Sequence, residues 1–91
     1  MPVLKGTVTG SIRSIPYNIP STIKSICLYN RSGGSVTATI AISVDTIETY
    51  IKSFTIASLG SEYLETNILV PKEAEIVIAS SGSLDYYLTI E

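Results

Sequence analysis

Eight carboxylates, six tyrosines, one cysteine and many serines and threonines are the side chains of this 91-residue chain that could do chemistry, and no histidine or tryptophan accompanies them. Histidine is the usual general base near neutral pH and the commonest metal ligand. Without it Cys27 lacks the partner that activates a thiol nucleophile. Serine catalysis needs the same base and a strained elbow of the G-x-S-x-G type, which the chain does not contain. The acidic pairs are Asp45 with Glu48, Glu62 with Glu65, and Glu73 with Glu75. Calcium takes about six to eight oxygens from a closely spaced acidic loop, and no pair sits in a DxDxD-type run, so these read as solvated strand ends. Zinc lacks its His and Cys set. Two carboxylates can cleave a glycosidic bond, but only across a cleft, and short strands with short turns leave little chain to build one. The SSGS text at 80–83 reads as a hairpin turn and not a phosphate loop, because no GK[ST] follows it. The expectation is a chain with no catalytic residues, no cofactor, no metal and no small-molecule substrate.

Composition narrows the partners. Hydrophobic residues make up 45% and charged residues 15% of the chain, against a usual charged share of about 25%. That balance excludes disorder, and the length fits one domain spanning residues 1–91. A surface so poor in charge points towards assembly. Lys5, Arg13, Lys24, Arg31, Lys52 and Lys72 are scattered and the net charge is −2, so nucleic acid has no electrostatic footing. The longest weakly polar run, 37–44, is far shorter than the roughly 20 residues of a spanning helix, so no membrane role is expected. The opening MPVLKGTVTGSIRSIP has no apolar stretch of the kind a secretory signal needs. Cys27 has no partner for a disulfide. Both features point to folding in a reducing cytoplasm.

Period-two alternation recurs between turn signals, and no segment shows helical periodicity. Strands are expected at 3–9, 23–30, 35–44, 49–56, 62–69, 74–79 and 84–90. The strand at 35–44 alternates best, with Val36, Ala38, Ile40, Ile42 and Val44 on one face and Thr37, Thr39, Ala41 and Ser43 on the other. Phe54 and Ile56 should face inward, as should Leu84, Tyr86, Leu88 and Ile90. Residues 10–22 differ in kind, because Pro16 and Pro20 remove backbone donors and favour an extended connection or arm. The fold class is all-β: a single antiparallel β-sandwich of about seven short strands, jelly-roll or Ig-like, with a small closed barrel as the alternative.

Two sets of residues are candidates for contact with a partner. Tyrosine offers apolar area and a hydroxyl at low entropic cost, and Tyr87, out of phase with Tyr86, should point outward. On the arm, Ile12, Ile15, Tyr17 and Ile19 must cover something, either one end of this protein's own core or a partner surface.

The runs 23–45, 50–80 and 86–91 together resemble small β-sandwich virion proteins of tailed bacteriophages. A strand ending in Tyr29 and Asn30 meets a Gly turn and an alternating strand. The stretch LGSEYLETNILVP (59–71) and a closing strand ending in Glu91 follow. Relatives of that kind often carry Gly after the proline, where this chain has Lys72-Glu73-Ala74. The resemblance implies a structural, non-enzymatic role in the virion, made in the host bacterial cytoplasm. On that reading the chain is a capsid decoration (auxiliary) protein whose partners are the major capsid protein and further copies of itself. The alternative is a tail, neck or fibre module that binds another virion protein or a host-surface glycan.

Overall fold

The computed structural model describes residues 3–14 and 20–91; Ile15, Tyr17 and Ile19 of the expected arm lie outside them. Alternating β-branched and polar residues fold into six strands, β1 (Val3–Ser14), β2 (Ser21–Asn30), β3 (Val36–Val44), β4 (Ile47–Ile56), β5 (Ser61–Val70) and β6 (Glu75–Ile90). No described residue is helical. All pairings are antiparallel and belong to one sheet.

β6 organises that sheet. Its 16 residues carry β1 along one edge. On the other edge β3 pairs with Glu75–Ser80 and β2 with Leu84–Ile90. β4 extends β3 and β5 extends β2, so the sheet forks at the middle of β6 and curls into a half-barrel. The concave side holds the core: Ile23, Ile26, Leu28, Ile40, Ile56, Ile76, Leu84, Leu88 and Ile90 are all fully buried. Each such side chain contributes about 1.5–3 kcal/mol on removal from water.

The strand count is six rather than about seven because the residues read as a turn at 80–83 bend one strand without reversing it, and the first strand, expected to end at residue 9, bends at Gly10 and continues to Ser14. Val8 pairs with Leu84 and Gly10 with Ser80, so β6 spends Ser81, Gly82 and Ser83 where β1 spends only Thr9. Gly10 takes φ +99, a conformation open to glycine at little cost. Gly82 is needed for space: a Cβ there would lie 2.6 Å from Ser32 Oγ and 2.9 Å from Val36 Cγ2. Ser80 Oγ accepts from the Gly82 amide and donates to its carbonyl, which holds the excursion shut. The expected connection over 10–22 is correspondingly shorter. Residues 11–14 continue β1 against β6, and Ser21 and Thr22 already pair with β5.

The β3–β4 hairpin turns on Asp45 and Thr46, both at positive φ (51 and 66). A two-residue turn with both centres left-handed matches the twist of the flanking strands, but a β-branched residue is strained there. Thr46→Gly should therefore raise stability by about 1 kcal/mol, read as a higher urea midpoint at unchanged slope.

Candidate functional site

Strand register places the outward residues of β1, β6, β2 and β5 in rows across the convex side. One row runs Lys5, Tyr87, Cys27, Tyr63; the next runs Thr7, Asp85, Tyr29, Ser61; a third holds Val3, Thr89, Ser25 and Glu65. Three tyrosines thus meet on one face, with Tyr29 40%, Tyr87 48% and Tyr63 62% exposed. A shallow depression of about 480 Å³ lies among Lys5, Thr7, Cys27, Tyr29, Asp85 and Tyr87.

The polar groups between the rings are largely spoken for. Asp85 accepts from Thr7 Oγ1 at 2.6 Å and lies 3.6 Å from Arg31 Nε. Ser25 Oγ donates to Thr89 Oγ1 at 2.6 Å. Rings with locally satisfied polar groups and little net charge are what the centre of a protein–protein interface is made of. Cys27 is a free thiol, half-buried in the middle of the face.

The convex side of the other arm, β3 and β4, contrasts with it. Arg13 sits opposite Val77, which pairs with Ala41, and its guanidinium bonds Glu48 on β4 at 2.9 Å while lying 3.8 Å from Glu75. The side chain therefore spans from β1 across β6 and β3 to β4. Beneath that reach Val77, Ala41 and Ser43 are buried although they face outward. This ion pair is half-exposed, so its electrostatic worth is at most about 1 kcal/mol; covering apolar surface is the larger effect. On this arm the chain itself straps Val77, Ala41 and Ser43 and leaves Tyr50, opposite Ala41 on the edge strand, exposed; the face with three tyrosines side by side is left open.

Beside Tyr63 two bulges adjoin. Ile23 pairs with Ile90 and Ser25 with Thr89, leaving Lys24 extra on β2. On β5, Thr66 and Asn67 together oppose that single residue. The bulges gather a polar hollow of Lys24, Ser25, Glu65, Thr66 and Asn67 against the Tyr63 ring, with Lys24 Nζ donating to Asn67 Oδ1 at 2.6 Å. Among the described residues no group of three or more His, Cys, Asp or Glu side chains is placed to hold a metal ion.

Of the residues singled out in the sequence, Tyr87 stands exposed on this face. Ile12 does not join it: it pairs with Ile78 and packs, half-buried, against the core. Ile15, Tyr17 and Ile19 are outside the described residues. Tyr29 and Tyr63 are the additions. Their outward phase was readable from alternation, but the register that brings them beside Tyr87 was not. No protein-family model matches the chain, and no curated protein matches it.

Proposed function

We propose that this chain is a non-enzymatic structural virion protein, a capsid decoration protein that binds the major capsid protein through its tyrosine face and so reinforces the shell. The observation that carries the assembly reading is the contrast between the convex faces, one strapped by Arg13 over its buried centre and the other presenting Tyr29, Tyr63 and Tyr87 together. The resemblance of the turn-and-strand pattern to small phage virion proteins is what suggests the virion setting. The two arms of the fork, closing on one core, are read as the two layers of a sandwich of that type. The protein is made in the host cytoplasm and functions on the particle.

The test is incorporation. Tyr29→Ser, Tyr63→Ser and Tyr87→Ser combined should leave the thermal midpoint within a few degrees of wild type, because exposed substitutions cost little. The same variant should lose association with purified particles by at least about tenfold, since interface tyrosines carry disproportionate binding energy. Unchanged association would reject the face. The hollow beside Tyr63 favours one runner-up, a tail or fibre module whose aromatic ring and flanking Asn67, Glu65 and Lys24 hold a sugar. Retained particle binding together with millimolar binding of methyl pyranosides would select it.

A further inference from the structure

The fork leaves three strands, β1, β4 and β5, each with one edge unpaired among the described residues. An open edge is a template for another strand, and here the edges differ in charge. β1 carries Lys5 and Arg13 and no acid; β5 carries Glu62 and Glu65 and no base; β4 carries one of each, Glu48 and Lys52. Pairing β1 with β1, or β5 with β5, sets like charges on adjacent strands, which is destabilising. Pairing β1 with β5 sets opposite charges there.

We infer that copies of this chain join head to tail, the free edge of β1 in one copy pairing antiparallel with the free edge of β5 in the next, with Lys5 opposite Glu65. This rests on the reading of the chain as an assembly subunit and names one of its partners, a second copy. Strand direction supports it. Along β1-β6-β2-β5 directions alternate, so an incoming β1 that runs antiparallel to β5 has the same orientation as the resident β1. The contact is therefore heterologous and closes into a ring or continues as a row.

Register supports it as well. Lys5, Thr7, Tyr63 and Glu65 all face the convex side. Placing Lys5 opposite Glu65 sets Thr7 opposite Tyr63 on that side and Gly6 opposite the half-buried Leu64 on the other. Both segments are unbroken there: β1 has its register shift only after Val8, and β5 its own only after Glu65. Arg13 is already engaged with Glu48 and Glu75, whereas Lys5 and Glu65 make no ion pair among the described residues. In the joined state the tyrosine rows of successive copies become one surface.

The experiment is the native mass of the full chain by light scattering and sedimentation equilibrium, for wild type, Lys5→Glu, Glu65→Lys and the double variant. Circular dichroism melts confirm that each variant folds, as expected for exposed positions. Wild type should form a concentration-dependent oligomer that weakens with salt. Each single reversal should raise the dissociation constant at least about tenfold, and the double swap should restore it to within about threefold. A wild type that stays monomeric at about 100 µM, single reversals without effect, or a double variant that does not recover would each overturn the pairing. A monomer that still binds particles would overturn the pairing alone and leave the decoration reading intact.

Discussion

Leu88→Ala should lower unfolding free energy by about 3–4 kcal/mol, one of the two largest losses expected of any single truncation in this chain. Leu88 has no solvent exposure and lies opposite Leu4 on β1 and Ile26 on β2. Its strand is flanked by β1 on one edge and by β2 on the other at this point, so the neighbours cannot close in without breaking a ladder. The cost is then the lost transfer energy plus a cavity that stays open. A domain of this size has about 5–10 kcal/mol in total, so the variant should lose from roughly a third to four-fifths of it. Urea denaturation at unchanged slope is the measurement. A loss below about 1.5 kcal/mol would mean the half-barrel collapses around the gap, which a forked sheet pinned along β6 should not do.

The second large effect is expected at Asn30. Its side chain is fully buried where β2 ends. The amide Nδ2 donates to the carbonyls of Gly34 and Ile56 at 2.9 Å and of Ala57 at 3.1 Å. Oδ1 accepts from the Ser32 amide at 2.7 Å. One side chain thus ties the β2–β3 turn to the end of β4. Asn30→Ala orphans those groups in the interior and should cost about 3 kcal/mol. Asn30→Asp is the sharper variant, because it keeps the volume and the acceptor for Ser32 but cannot donate to three carbonyls. It should lose at least as much. Wild-type stability in the Asp variant would show that solvent satisfies these carbonyls and that the pin is not structural.

What the sequence made legible follows from the period of two. The facing of Val36, Ala38, Ile40 and Ile42, the inward turn of Phe54 and Ile56, and the opposite phases of Tyr86 and Tyr87 are all seen in the fold. Alternation carries no information on whether a glycine–serine cluster reverses a strand or bends it. Gly10 and 80–83 have hairpin composition, and only the packing of Gly82 on Ser32 and Val36 shows why the chain runs straight through. Lys24 hides a similar ambiguity. Ile23 and Ile26 share a face only because a bulge absorbs one residue between them. The tyrosine face, the Arg13 strap and the Asn30 pin all join residues far apart in sequence. They depend on register between strands, which local pattern does not specify. Val44, in phase with the core residues of β3, is exposed because the strand runs past the core into the hairpin turn.

A docking surface must lose solvent contact when its partner is bound. The decisive measurement is hydroxyl-radical footprinting of the chain free in solution and on purified phage particles, read residue by residue. Tyr29, Tyr63 and Tyr87 should be strongly protected on the particle, while Tyr50, 74% exposed on β4, should be oxidised equally in both states. Equal oxidation of all four tyrosines, or absence of the chain from the particles, would contradict the assignment of this face as the docking surface of a decoration protein.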